Sequence, residues 1–143
     1  MAGTIRMGFE GQLFLGTAGS TAATLIENIK DISIDLGAER GDTTVRGDST
    51  VPPIKTEDVT QRMSGIEFGM INDTSDTELT ALLTAMALGE AVALRGKDYA
   101  SGKGPDADFT LSAAWGQPLN GEQLITFTAT PSRSYGRAPQ SYV

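Results

Sequence analysis

Two alternating segments enclose a long polar stretch, and together they decide the fold. Residues 31–36 read DISIDL and residues 66–70 read IEFGM, so apolar side chains alternate with small or acidic ones. Between them, residues 37–60 read GAERGDTTVRGDSTVPPIKTEDVT. Alternation with one polar face is typical of strands in an antiparallel sheet. We expect the two strands to pair, with residues 37–60 at the end of an extended hairpin.

The polar stretch 37–60, called the arm from here on, is too poor in large apolar residues to build a core. Its large apolar residues are Val45, Val51, Ile54 and Val59. Loops longer than about 12–15 residues are uncommon in compact domains and usually mark function or disorder. We therefore predict that the arm protrudes and contacts something outside its own domain.

A helix is predicted after the second strand. Ser75 and Glu78 match the Ser-x-x-Glu capping box. Apolar side chains then recur at helical spacing and form one stripe, which we expect to pack on the core. Gly89 is suited to end the helix in a left-handed conformation. The stripe consists of Leu79, Leu82, Leu83 and Met86.

The remaining apolar segments predict further strands. A first strand is expected over 7–15, with Phe9, Leu13 and Leu15 on one face, and 25–36 is expected to become a clear strand towards its end. Three strands follow the helix, and Pro131 should stop the last of them. These three cover 91–95, 109–115 and 122–130. Strands dominate, with one helix packed on a sheet or sandwich, in one domain spanning 1–143.

The amino-acid composition excludes several classes of function. The 143 residues include no cysteine and no histidine, which excludes disulfides, thiol chemistry and a Ser-His-Asp triad within the chain. The net charge of −7 disfavours a protein that grips nucleic acid. The first ten residues lack the pattern of a signal peptide, and no apolar run is long enough for a membrane span. We expect a soluble protein made in the cytoplasm, with no enzyme activity, cofactor or metal.

Three weak signals have ordinary explanations. Gly102-Lys-Gly-Pro resembles a phosphate-binding fragment only loosely, because a Walker loop needs Lys followed by Ser or Thr before a helix. Arg46-Gly-Asp48 matches a receptor-recognition tripeptide but reads more simply as a turn in the arm. Asp31, Asp35 and Glu67 are candidates for a carboxylate pair or a calcium site. A solvated sheet face explains them better, and a third interpretation is a face that repels nucleic acid.

The final segment, residues 131–143, carries basic and aromatic residues without an acid. It contains Arg133, Tyr135, Arg137 and Tyr142. Two interpretations stay open for this C-terminal extension. It is either a frayed terminus or a segment that docks on an acidic neighbour.

With these elements in order, the chain resembles the major tail tube proteins of long-tailed bacteriophages. The likeness runs over roughly 7–131 and rests on the order of elements: the strand at 31–36, the arm with Arg46-Gly-Asp-Ser, the strand at 66–70, the helix at 73–86 and the strands after it. The resemblance implies an antiparallel β-sandwich or partial barrel with a flanking helix, a long hairpin arm and extended termini.

The same resemblance implies a function. Copies would form hexameric rings that stack into a hollow tube through which DNA passes without specific binding. Partners would be further copies, the tape measure protein, the tail terminator and the baseplate or distal tail proteins, in a virion assembled in the host cytoplasm. Alternatives are a type VI secretion-like tube, a tail terminator or a head decoration protein.

A different class of function is a monomeric barrel that binds a small ligand in a cavity lined by Phe109 and Trp115.

The resemblance also assigns roles to residues. Contacts between subunits through the arm would use Arg40, Asp42, Val45, Arg46, Asp48, Val51 and Ile54. The lumen would be lined by Asp31, Asp35 and Glu67. Contacts through the C-terminal extension would use Arg133, Tyr135, Arg137 and Tyr142.

Overall fold

The computed structural model describes residues 5–45, 52–62, 65–140 and 143, with the backbone alone at 38–39 and 58–62. A short 3-10 helix covers Gly8–Glu10. The strands are β1 (Gln12–Thr17), β2 (Thr24–Leu25), β3 (Ile29–Asp35), β4 (Ala38–Asp42), β5 (Glu57–Arg62), β6 (Gly65–Ile71), β7 (Val92–Lys97), β8 (Asp106–Gly116) and β9 (Leu124–Ser132), and the helix is α1 (Thr77–Leu88).

Seven strands form one antiparallel sheet in the order β2-β1-β7-β8-β9-β6-β3. Alternate residues of these strands point to one face, where α1 covers them and a core forms. A Cβ placed on Gly96 in β7 would lie 2.9 Å from Cδ1 of Ile34 in β3, so the sheet curls until its far strands meet. The predicted fold class, mainly antiparallel β with one flanking helix, is confirmed.

The core combines side chains from both ends of the sheet. Phe68 and Phe127 stack with ring centroids 5.2 Å apart in its centre. The largest fully buried side chains also include Phe109, Leu13, Ile26, Ile66, Met70, Leu79, Leu82, Leu94 and Ile125. This burial provides the main stabilisation of the fold.

The predicted hairpin is confirmed: β3 pairs with β6, with Ser33 opposite Glu67 and Asp35 opposite Gly65. The arm, however, is more than a set of turns. It continues the hairpin as a separate two-stranded ladder of β4 and β5, with an irregularity between residues 39 and 40. Residues 46–51 of the arm lie outside the described part of the chain.

Helix α1 begins one residue later than the capping box predicted. The carboxylate of Asp76 accepts the N–H of Glu78 at 3.1 Å, whereas the Ser75 hydroxyl donates to Asp73 Oδ1 at 2.7 Å. The capping-box assignment was therefore wrong, because Asp73 engages Ser75 first. Gly89 ends the helix with φ of 69°, as predicted.

Three details of the strands differ from the prediction. Residues 25–36 form two strands rather than one, and Phe9 lies in the 3-10 helix with its ring exposed. Strand β9 continues through Pro131. The Gln123 carbonyl accepts the N–H of Asn72 on the β6 side of β9. Because backbone groups alternate in direction along a strand, Pro131 directs its backbone groups to the same side. Pairing with β6 ends at Ala129, so the missing N–H of Pro131 breaks no bond.

Among residues 5–45, 52–62, 65–140 and 143, no helix combines the length and apolar character that crossing a membrane requires.

Candidate assembly surfaces

The face of the sheet opposite α1 is polar, and its acids lie at the β3 side. Ile32 and Ile34 pack towards the core, which leaves Asp35 and Glu67 exposed on the other face. Asp31 is exposed as well, but it lies at the irregularity of β3 and borders the groove beside the segment before β1. Exposed threonines and serines extend this face across the sheet, because the register aligns Ser33, Glu67, Thr128 and Ser112 in one row. We call this surface the polar face. No group of three acids close enough to hold a metal ion occurs in the described ranges.

Strand β8 is longer than its neighbour β7, and only residues 106–109 of β8 pair with β7. Within the described chain, no strand pairs with residues 110–116 on that side, which we call the β8 edge. The Pro105 carbonyl accepts from Gly96 on the β7 side, and the Asp106 N–H donates to Gln140 on the other side. Backbone groups alternate in direction along a strand. Ala113 therefore presents its N–H and C=O to the β8 edge, as do Leu111 and Trp115.

Strand β3 has a second unpaired side, which we call the β3 edge: in the described residues its partner is β6 alone. The Asn72 N–H donates to Gln123 on the β9 side, and the Ile71 carbonyl accepts from the Asn28 amide on the β3 side. The same alternation makes Ile32 and Ile34 direct their backbone groups towards the β3 edge. Neither edge contains a proline, and among the described residues no strand pairs with either of them, which is uncommon for a protein that stays alone.

The arm exposes the residues that its predicted role requires. Arg40, Asp42, Val45 and Ile54 are exposed, while Arg46, Asp48 and Val51 lie outside the described residues. The side-chain hydrogen bond from Thr44 is the largest cause that lowers the pKa of Asp42, and the Thr44 N–H adds a second at 2.9 Å. Contacts of the exposed arm residues with a second copy stay a prediction.

The C-terminal extension docks on its own chain through Arg137. Its guanidinium bonds Asp106 Oδ1 at 2.7 Å through Nη1 and Asp108 Oδ1 at 3.0 Å through Nη2. Asp108 is fully buried, and its two carboxylate oxygens also accept the Gly19 N–H at 3.0 Å. Burial alone would lower the pKa of Arg137, but the hydrogen bonds to Asp106 and Asp108 outweigh it and raise the pKa.

Backbone pairing completes this docking. Asp106 and Gln140 exchange hydrogen bonds of 2.8 and 3.0 Å, and Gly104 and Val143 exchange bonds of 3.2 and 2.9 Å. The acidic neighbour of Arg137 within this chain is therefore β8 itself. Arg133 and Tyr135 remain exposed, and Tyr142 lies outside the described residues. Contacts of this segment with another copy stay a prediction.

The aromatic residues proposed for a ligand cavity do not line one. Phe109 is fully buried in the core, and Trp115 is a half-exposed surface residue whose indole donates to Gln123 Oε1 at 2.9 Å. A groove of about 1040 Å³ lies elsewhere, between β3 and the segment before β1, and contains a single aromatic ring, that of Phe9. Gly104 of the phosphate-like fragment is used in pairing with Val143.

Sequence reasoning missed two features of these surfaces. The β8 edge arises because β7, with six residues, is shorter than β8, with eleven. The strands predicted over 91–95 and 109–115 did not reveal this difference. The pairing of Arg137 with Asp106 and Asp108 joins residues about 30 positions apart. The only sequence feature that pointed to this ion pair was the presence of two acids, separated by one residue, in an apolar strand.

Several chains in solved structures share this arrangement of elements, and two of them belong to particles of one kind. A chain in the tail of an empty gene transfer agent (GTA) particle, determined by helical refinement with C6 symmetry, matches with a TM-score of 0.74 at 17% identity, over 96% of this chain and 98% of that chain. This chain has the fold of that tail protein. A chain in the virion of a native GTA particle matches with a TM-score of 0.71 at 15% identity, over 97% and 99% of the two chains.

The fold-level part of the resemblance to tail tube proteins is therefore confirmed over nearly the whole chain. No protein-family model matches the sequence, and no curated protein matches it.

Proposed function

We propose that this chain is a non-enzymatic structural subunit that joins further copies into rings, and that the rings stack into a hollow tail tube. The observation that carries the proposal is the pair of open edges on the four-strand unit β8-β9-β6-β3. Each edge carries outward backbone groups that need partners, and a second copy supplies them.

The two edges fit each other in direction. Neighbours in the unit are antiparallel, so β3 runs opposite to β8. In a ring, copies are related by rotation about an axis that runs along the strands, and this rotation leaves the direction of each strand unchanged. The β3 edge of one copy therefore meets the β8 edge of the next as an antiparallel pair. Such a contact is head-to-tail, and it closes into a ring when the rotation angle divides a full turn.

The GTA tail, with its C6 symmetry, suggests six copies. Six units of four strands would close a barrel of roughly 24 strands, about 40–50 Å across between opposite backbones at the usual strand spacing and tilt. Duplex DNA fits within such a barrel. Because α1 and the core cover one face of the sheet, that face must lie outside, and the polar face lines the lumen.

A lumen of this composition suits the passage of DNA without specific binding. Asp35 and Glu67 repeat in every copy and give the wall a negative charge, which repels phosphates. The exposed threonines and serines are neutral and short. The tape measure protein, the tail terminator and the distal tail or baseplate proteins are the expected partners, in a virion assembled in the host cytoplasm.

Reversing the charge of the polar face should make assembled tubes bind DNA. We expect Asp35→Lys with Glu67→Lys to leave assembly intact, because both side chains are exposed. Tubes of this variant should retain duplex DNA in a sedimentation assay at low salt and release it as salt rises. The neutral variant Asp35→Asn, Glu67→Gln is the control and should bind little. Equal DNA binding by wild type and Lys variant would place these residues outside the lumen.

A disulfide between the two edges tests the ring contact. Ser33 lies on β3 and Ser112 on β8, both on the polar face, and the chain has no cysteine of its own. Oxidation of the Ser33→Cys, Ser112→Cys variant should give a covalent ladder of copies that ends at the ring. Each single variant is the control and should give no species beyond a dimer. A double variant that behaves like the single ones would refute β3–β8 pairing near these positions.

A further inference from the structure

The core face of β8 continues beyond the core of its own copy. Trp115 lies on the same face as Phe109, because an even number of positions separates them. Phe109 is fully buried, whereas Ala113 is exposed and Trp115 is 50% exposed. An apolar strip of β8 therefore remains in contact with water beside the β8 edge.

The groove is a second apolar surface, and it lies beside the β3 edge. Ile32 and Ile34 line it from β3, and Met7 and Phe9 line it from the segment before β1. Met7 is 55% exposed and Phe9 is 86% exposed. Leu36, directly after β3, lines the groove as well and is 50% exposed. Clustered exposed apolar side chains of this kind mark interaction sites.

Trp115 does not reach the groove of its own copy. Strands β9 and β6 separate β8 from β3, which forms one wall. The other wall precedes β1, whose Gln12 pairs with Lys97, and the neighbouring Arg95 of β7 pairs with Asp106 at the start of β8. From Asp106 to Trp115, β8 runs roughly 30 Å away from that wall. A tryptophan that fills the groove must therefore come from another copy.

We propose that Trp115 of one copy enters the groove of the neighbouring copy in the ring. This inference rests on the proposed function and deepens its lateral contact. Residues that exchange hydrogen bonds across an antiparallel pair lie directly opposite each other. Those residues include Ala113 and Trp115 at the β8 edge and Ile32 and Ile34 at the β3 edge.

The side chains of these same residues lie on the core face of both strands. Opposite side chains in such a pair have Cβ atoms about 4.5–5.5 Å apart. The neighbour's Trp115 therefore stands beside the isoleucines that line the groove, with Phe9 on the far wall. The pair of edges then shares an apolar centre as well as backbone hydrogen bonds. That centre lets the β3 edge distinguish a second copy from any other exposed strand.

Fluorescence tests the inference on the unmodified protein, because Trp115 is the only tryptophan in the chain. As rings form across a concentration series, we expect its emission to move to shorter wavelengths and its quenching by acrylamide to fall. Rings whose tryptophan emission and quenching equal those of the free subunit would overturn the inference while the proposed function stands. Absence of rings from the wild-type protein would instead refute the proposed function, and this inference with it.

A double-mutant cycle tests the contact itself. We expect Trp115→Ser and Phe9→Ser each to raise the concentration needed for ring formation about 30-fold, which corresponds to about 2 kcal/mol. Because the two side chains meet, the double variant should lose little more than either single variant.

The matched control is Leu88→Ser, because Leu88 is 66% exposed at the end of α1 and lines neither surface. This variant should assemble as the wild type does, and circular dichroism checks that every variant is folded. Losses that add fully in the double variant would show that Trp115 and Phe9 do not meet, and would overturn the inference.

Discussion

Replacing Arg137 with alanine is expected to lower the free energy of unfolding by about 3 kcal/mol. The change leaves the carboxylate of Asp108 fully buried without its cation, with the Gly19 N–H as its remaining described donor. Breaking a buried ion pair costs about 3–5 kcal/mol. The lower end applies because the Arg137 side chain keeps 19% exposure, which lets water reach part of the site.

Urea unfolding followed by circular dichroism measures this change, and a fall in melting temperature of roughly 6–12 °C should accompany it. Arg133→Ala is the control, because Arg133 is an exposed arginine in the same segment, and its effect should stay within about 0.5 kcal/mol. Equal stability of the two variants would mean that the C-terminal extension contributes nothing to the fold through Arg137.

Replacing Ala113 with proline is expected to leave the subunit folded and to raise the concentration needed for ring formation about 10- to 100-fold. The N–H of Ala113 faces the β8 edge, so its loss breaks no bond with β9. In the ring, the missing donor leaves an acceptor of the neighbouring β3 unsatisfied. That defect costs about 1–3 kcal/mol per contact, and each 1.4 kcal/mol is a factor of ten in association.

Sedimentation velocity over a concentration series measures the shift, and circular dichroism checks that the variant is folded. Ala113→Val is the matched control, since valine has a side chain of similar size and keeps the N–H. It should assemble as the wild type does. If the proline variant forms rings at the wild-type concentration, β8 does not supply the lateral contact.

The sequence revealed the elements whose patterns are local. Alternation in 31–36 and 66–70 was enough to predict that β3 pairs with β6, and the apolar stripe with Gly89 predicted α1. The start of α1 was missed because Ser75 and Asp76 are both good N-caps. The choice between them depends on Asp73, whose carboxylate takes the Ser75 hydroxyl.

The surfaces that matter for assembly depend on contacts between distant residues. Nothing local distinguishes Asp108, which is buried beneath Arg137, from an exposed acid at the same point in an alternating strand. Trp115 alternates with Phe109 and Leu111 like a core residue, yet β8 runs past the core before it reaches Trp115. The open edges of β3 and β8 follow from strand order and length, which periodicity does not encode.

Lateral closure of the sheet into a ring can be observed by electron microscopy of the purified protein across a concentration series. We expect hollow rings and tubes of one diameter, with a continuous wall of strands whose opposite backbones lie roughly 40–50 Å apart. End-on averages should give the number of copies directly. Assemblies without a lumen, or a wall in which the β3 and β8 edges remain apart, would contradict lateral closure.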